Sequence, residues 1–473
     1  MTSNGLIDVD NQSLSTAQVK GRVARALISV LSEKCKAYCM LSGYERLPDL
    51  YDSDIDFMVG QEDFERMPAL IEEVARQSNT RLFLSVEHEI NARAYYLASL
   101  SGPELTFIQP DSTSNYRHFG SLWLRADEVL SARRWHSSGF WIPSPAHEFA
   151  YYLIKRFNKR DLGPEHSSRL HRLYAEDSVG CDRMIARFWS GYQGSALRRM
   201  AKSDDWAELQ TSFESFRRKM KRTTAESLVQ KIISSPKHAI HWLGRMFRPT
   251  GGWIAFIGPD GSGKSLMIDV IRQQYFFAFR RARCFHMRPK FLPGKATNGS
   301  AVTNPHGQPP RGYLASIAKV FFLVADYFLG YIFKLLPALG STRLIIFDRY
   351  IYDLLVDSKR VRYSGPAWLL RMAAALVPSP DLVILLDAPA EVLWSRKQEV
   401  PFEEVARQRV AYLNLARNLS SAVVVNSAQP VPDVIHDVNR AIVDHYSRRT
   451  AHRLGLPVPP PFMNRSGSDG SGQ

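Results

Sequence analysis

The densest chemistry in the sequence lies in eight consecutive residues, Gly258-Pro259-Asp260-Gly261-Ser262-Gly263-Lys264-Ser265. They satisfy the pattern G-x-x-x-x-G-K-[ST]. In it, glycines let the backbone curl so that N–H groups and a helix N-terminus face a phosphate. Lys264 adds a point charge and Ser265 offers a hydroxyl to Mg²⁺. Gly258, Asp260, Gly261, Ser262, Gly263, Lys264 and Ser265 are therefore expected to hold a nucleoside triphosphate. The context agrees: the apolar run Trp253-Ile254-Ala255-Phe256-Ile257 reads as a buried strand, and a helical pattern starts at Leu266-Met267-Ile268.

A second constellation is Ser53-Asp54-Ile55-Asp56-Phe57-Met58-Val59. Strand alternation places Asp54 and Asp56 on one face. Two carboxylates held in that way can share Mg²⁺ ions and a triphosphate; a surface strand flanked by two acids is the plainer alternative. Four cysteines, Cys35, Cys39, Cys181 and Cys284, show neither zinc spacing nor a disulfide framework. They fit a reducing cytoplasm, and the polar start Met1-Thr2-Ser3-Asn4-Gly5 leads to no signal-peptide core.

With 473 residues, 45% of them apolar, the chain has material for about three domains. Residues 18–41 read as a helix. Residues 145–243 read as helical throughout, and residues 151–250 hold twenty Lys and Arg against ten Asp and Glu, much of the net charge of +15. Such a segment suits a polyanion, an anionic membrane surface or an acidic partner, although a solvated helix face has the same composition. Its cluster Arg217-Arg218-Lys219-Met220-Lys221-Arg222 comes with no recognisable nucleic-acid module. Pro249-Thr250-Gly251-Gly252 marks a boundary.

Beyond it, apolar strands alternate with helices, the pattern of a five-stranded parallel α/β sheet. The strands are Trp253–Ile257, Ala282–Phe285, Arg343–Tyr350, Asp381–Asp387 and Ala422–Val425. The stretch from Pro289 to Pro310 is too long for an ordinary connection and reads as a lid or binding element. Val320 to Ala338 has a membrane-spanning length, but Asp326 and Lys334 interrupt it. Each would cost roughly 2.5–3.5 kcal/mol at mid-bilayer. The stretch is expected to be a core helix, with a membrane-surface helix as the alternative, and not a transmembrane segment. The expected domains are 1–145, 146–248 and 249–450, with a disordered tail at 451–473 rich in Pro, Ser and Gly.

Two resemblances follow from these residues. The glycine turn at Gly43-Tyr44 followed by Asp54-Ile55-Asp56 resembles the α+β nucleotidyltransferase fold typified by polymerase β. That family has Gly-Ser at the turn and a third carboxylate on a later strand. Here Glu104 and Asp111 flank the strand Leu105–Gln109 and neither falls in register. Residues 253–446 resemble the thymidylate kinase family of nucleoside-monophosphate kinases, through the phosphate loop, Asp348-Arg349-Tyr350, Leu386-Asp387-Ala388-Pro389-Ala390-Glu391 and Arg396-Lys397.

The second resemblance implies ATP and Mg²⁺ as cofactors. It gives Asp348 to the metal site beside Ser265, Arg349 to the acceptor phosphate and Arg396 to a shortened lid. It also places Asp260 near the acceptor and Asn426 beside the adenine. The Ser/Tyr/Gln segment that reads thymine in the family has no match in Ile351–Asp357. The expected activity is ATP-dependent phosphoryl transfer, catalysed by Lys264, Asp348, Arg349 and Arg396, to a phosphorylated acceptor, with a link to surface polysaccharide implied by similar bacterial fusions. Nucleotidyl transfer at Asp54 and Asp56, and a nucleotide-gated scaffold, are the alternatives.

Overall fold

A computed structural model describes residues 15–49, 54–89, 91–101, 103–118, 121–223, 244, 246, 248–293 and 311–462. Contacts divide the described chain into two compact units. One is drawn from residues 1–99, 106–239 and 450–457, the other from 100–105, 240–449 and 458–473.

The first unit is built on a mixed sheet of β1 (Tyr38–Ser42), β2 (Ile55–Val59), β3 (Arg81–Glu89), β4 (Ala92–Ser101), β5 (Glu104–Ile108) and β6 (Pro110–Thr113), in the order β1-β2-β6-β4-β3 with β5 paired to β4. Two small hairpins follow, β7 (Asn115–His118) with β8 (Ser121–Arg125), and β9 (Arg134–His136) with β10 (Phe140–Ile142). The single helix expected over residues 18–41 is a helix Thr16–Lys34 followed by β1. Ser15 caps its start through a capping box, and Cys35 ends it in extended conformation. Tyr38 to Leu41 are all buried because the strand is covered on both faces. Tyr38, Met40, Phe57 and Val59 pack in one core with the helices Thr16–Lys34 and Gln61–Gln77. Cys39, Leu41 and Met58 point into the other, among Phe149, Leu153, Phe157 and Trp189. The helices Pro145–Lys159, Pro164–Glu176, Ser178–Phe188, Gly191–Ser203 and Ala207–Thr223 thus share a core with the sheet. In the basic cluster, Arg217 bonds Glu214, which also takes Arg160.

In the second unit all five strands are parallel, β11 (Gly252–Ile257), β12 (Ala282–His286), β13 (Leu344–Asp348), β14 (Leu382–Asp387) and β15 (Ala422–Asn426), in the order β12-β13-β11-β14-β15. Parallel strands end on one side, and the chain reverses its direction of travel across the sheet beside β11, where such sheets take ligands. The last helix, Val431–Leu454, runs past the expected boundary at 450, and residues 463–473 lie outside the described residues. So does 294–310, most of the expected lid.

The apolar stretch before β13 is a helix Tyr313–Gly330, continued by one π-helical turn and a short helix to Gly340. By length and composition it is apolar enough to cross a membrane, and only 33% of its most apolar stretch is buried. The expected core helix is therefore only half one. Val320, Leu323 and Tyr327 face the sheet, while Leu314, Phe321 and Phe328 are exposed. Its one carboxylate, Asp326, is fully buried, accepting from Arg288 at 2.9 Å and from Leu292 N–H at 2.6 Å.

Candidate active site

The C-terminal ends of the parallel strands carry His286, Asp348, the phosphate loop, Asp387 and Asn426, in sheet order. Hydrogen-bonded register aligns His286 with Asp348, Phe256 with Asp348, and Asp387 with Asn426. The loop follows β11 directly. Gly258 has φ 139° and Gly261 φ 85°. A Cβ on Gly258 would meet Leu386 O at 2.6 Å and one on Gly261 would meet Leu393 O at 2.5 Å. Both positions therefore need glycine on conformational and steric grounds. Gly263 caps the helix Lys264–Gln274, so its free N–H groups open toward the loop. Ser265 is exposed on its first turn.

Lys264 is buried, and its ammonium donates to Gly258 O at 2.9 Å, Pro259 O at 2.7 Å and Ser262 Oγ at 3.3 Å. Burial, then the charge of Arg349, lowers its pKa to about 7. A phosphate beside it restores the charged form. Below pH 7 the lysine is already charged and binding moves no proton there. Between 7 and its ordinary range near 10, binding takes up a proton, so nucleotide affinity should fall with rising pH, approaching tenfold per unit. Calorimetric titrations in buffers of different ionisation enthalpy should show this uptake at pH 8.5 in the wild type and none in Lys264→Met.

Asp348 ends β13. Its Oδ2 lies 3.2 Å from His286 Nδ1, and its Oδ1 is buried with no hydrogen-bond partner among the described residues. Burial works to raise its pKa, but the bond and charge of His286, then Lys264 and Arg349, hold it below the usual carboxylate range. An ionised oxygen left without a partner suits a hard cation.

Arg349 follows with φ 66° and is buried. Its guanidinium donates to Asp353 at 3.0 Å, to the Tyr412 hydroxyl at 3.4 Å and to Asp260 of the phosphate loop. Asp260 accepts a second guanidinium, that of Arg360, at 3.1 Å. Burial alone would raise the Asp260 pKa; Arg349, Arg360 and Lys264 overcome it and hold the carboxyl far below its usual range. Arg349 thus stands at the loop, as expected, but as part of a charge network.

Arg396 lies in the last turn of the helix Ala390–Arg396 and donates to Ser427 O at 2.9 Å. It fixes the loop after β15 and is not turned to the phosphate loop's ligand face by any bond described. Asn426 ends β15 and accepts the Ala428 N–H at 2.9 Å, forming a tight turn. Sequence reasoning missed Arg360, Asp353, Tyr412, His286 and Arg409, which grips Asp387 bidentately at 2.9 and 3.0 Å. Asp353, four residues after Arg349, carried a helical-spacing signal; the others come from distant elements and carried none.

In the first unit, Asp56 accepts from Ser42 Oγ at 2.9 Å and from the Lys155 ammonium. The expectation that no third acid falls in register is corrected. Residues 104–113 form two strands, and β6 lies between β4, to which it is antiparallel, and β2, to which it is parallel, which sets Asp111 directly opposite Asp56. Asp54 is raised in pKa by burial and then by Asp56. Lys155 is raised chiefly by Asp56, against its own burial. Among the described residues no group of three or more His, Cys, Asp or Glu is placed to hold a metal ion. The cation at Asp56 is Lys155.

No family model matches the chain. Among curated proteins, a thymidylate kinase of Limosilactobacillus fermentum is 27% identical over 212 residues, 42% of this chain and 97% of that protein. One of Chlamydia abortus is 24% identical over 206 residues, covering 41% and 95%. A probable thymidylate kinase of Pyrococcus abyssi is 31% identical over 119 residues, 24% of this chain and 57% of that protein. The solved thymidylate kinase of Ehrlichia chaffeensis aligns with 41% of this chain and 98% of its own, at 15% identity and a TM-score of 0.29. Homology to thymidylate kinases over about 42% of the chain supports a kinase-like P-loop domain with a nucleotide kinase-like function.

Proposed function

We propose that the second unit transfers the γ-phosphoryl group of ATP to a phosphorylated acceptor. The observation that carries this reading is the placement of Lys264, Asp348 and Arg349 together at the ends of adjacent parallel strands, β11 and β13. Phosphoryl transfer asks a protein mainly for positioning and charge neutralisation. An acceptor phosphate oxygen attacks the γ-phosphorus, its bond to the β–γ bridging oxygen breaks, and ADP leaves. The acceptor enters ionised, so no base is required. The loop N–H groups and Lys264 bind the β- and γ-phosphates, and Arg349 orients the acceptor phosphate. Ser265 and Asp348 would hold Mg²⁺, which supplies charge neutralisation to the triphosphate. Free thiols at all four cysteines suit the cytoplasmic setting proposed with this reading. A radiolabelled-ATP screen over nucleoside monophosphates, sugar phosphates and lipid-linked glycans tests it; ATP binding without transfer to any of them would leave a nucleotide-gated scaffold.

Because Ile351–Asp357 lacks the residues expected to read thymine, dTMP should be a poor acceptor beside the true one. Efficient steady-state turnover of dTMP would overturn that specificity.

A second reading, nucleotidyl transfer in the first unit, is favoured by Asp111 opposite Asp56. The two sites lie in separate units, so Asp54→Asn with Asp56→Asn should leave γ-phosphoryl transfer within about twofold of wild type. Loss of that transfer in a folded double mutant would show that the two activities are not separable.

A further inference from the structure

Asp260 is held by two guanidiniums, one on each oxygen: Arg349 on Oδ1 and Arg360 on Oδ2. A carboxylate and a phosphate present similar oxygen pairs to such forks. Arg349 is anchored from behind by Asp353 and Tyr412. Arg360 stands on a short 3₁₀ turn, Lys359–Val361, whose start is capped by Asp357 accepting the Arg360 N–H at 3.2 Å. Asp357 in turn accepts from Gln408 at 3.3 Å. Arg360 therefore leaves a pinned backbone, and its side chain is partly exposed where Arg349's is buried. Its only other charged partner among the described residues is Glu399, at 3.9 Å.

We propose that Arg360 is a second guanidinium of the acceptor-phosphate site, beside Arg349, and that Asp260 is an internal carboxylate which the acceptor's phosphate displaces. The proposal rests on the kinase-like reading of this unit and adds to its acceptor site a guanidinium and a competing carboxylate. A dianionic terminal phosphate offers both forks an oxygen and competes with the single charge of Asp260; a phosphodiester, with one charge and two esterified oxygens, does so poorly. The basic turn that carries Arg360, with Lys359 and Arg362 beside it, follows Ile351–Asp357, the segment with no match to the family's ring-reading residues. Recognition here is thus directed to the phosphate. Asp260 keeps two buried or half-buried cations compensated until the acceptor arrives, and it rejects anions too weak to replace it.

The test uses the full chain saturated with Mg²⁺ and a non-hydrolysable ATP analogue, titrated with inorganic phosphate by calorimetry. One phosphate should bind. Arg360→Ala should weaken it by about tenfold to a hundredfold, the range for a lost charge-assisted bond, with the analogue's affinity unchanged. Arg360→Lys should fall between, because it keeps the charge and loses the fork. Asp260→Asn should tighten phosphate binding. Unchanged phosphate affinity in Arg360→Ala overturns the proposal, and so does an Asp260→Asn variant that weakens phosphate as much as Arg360→Ala does. If the analogue fails to bind at all, the kinase-like reading falls; the same titration without it still decides whether Arg360 holds a phosphate.

Discussion

Replacing Lys264 by alanine is expected to lower phosphoryl-transfer turnover by about 10²- to 10³-fold, the usual effect of removing one group that stabilises developing charge in a water-poor site. The ammonium is buried in the loop it serves, and its three hydrogen bonds all go to loop oxygens. No other lysine or arginine among the described residues bonds those two carbonyl oxygens, so no neighbour takes its place. The alanine variant also leaves Gly258 O without the ammonium and Pro259 O with only the Ser262 N–H at 3.4 Å, at about 1–3 kcal/mol for a buried group left unsatisfied. Relief of the buried lysine's own desolvation offsets part of this. Circular dichroism and a thermal melt must therefore accompany the kinetics, with Lys264→Met as the variant that keeps the volume. Wild-type turnover and ATP affinity in a folded variant of either kind would show that the loop holds no triphosphate.

Arg349 separates two effects. Arg349→Ala should destabilise the second unit by about 3–5 kcal/mol, because it leaves Asp353 as a buried charge without its partner. Both side chains of that pair are nearly inaccessible, at 6% and 2% exposure, so solvent does little to screen the loss. Arg349→Lys keeps the charge and should fold. It cannot reproduce two parallel bonds to a phosphate, so acceptor kcat/KM should drop by about tenfold or more, with ATP affinity little changed. Chemical denaturation reads the first effect, and steady-state kinetics with ATP and acceptor varied separately the second. An Arg349→Lys enzyme that lost ATP affinity and kept acceptor affinity would assign this guanidinium to the wrong phosphate.

What the sequence disclosed depended on how local the signal was. The phosphate loop and the five parallel strands were legible because each is one continuous run whose residue types have a single structural solution. Asp348 and Arg349 were legible by their place at the end of an apolar strand. The helix over 18–41 was over-extended, because Tyr38–Leu41 is apolar throughout and a doubly covered strand lacks the alternation that distinguishes strand from helix. The register of Asp111 was hidden for a different reason: β5 and β6 are separated by Gln109 alone, and which neighbour each strand joins is decided by the rest of the sheet. Arg360 and Tyr412 were invisible because nothing in their own surroundings marks them; they reach the site from 100 residues beyond Asp260 and 63 beyond Arg349 in sequence.

The bonds from Lys264 to its own loop have a consequence in conformational entropy. Fixing one residue's backbone costs roughly 1–2 kcal/mol, and a glycine-rich turn has more freedom to lose than most. Here Gly258, Pro259 and Ser262 are tied to one buried ammonium, so the turn is ordered as the unit folds. An incoming nucleotide then exchanges one set of oxygens for another at a centre already in place, and the ordering of the loop is not charged against its affinity.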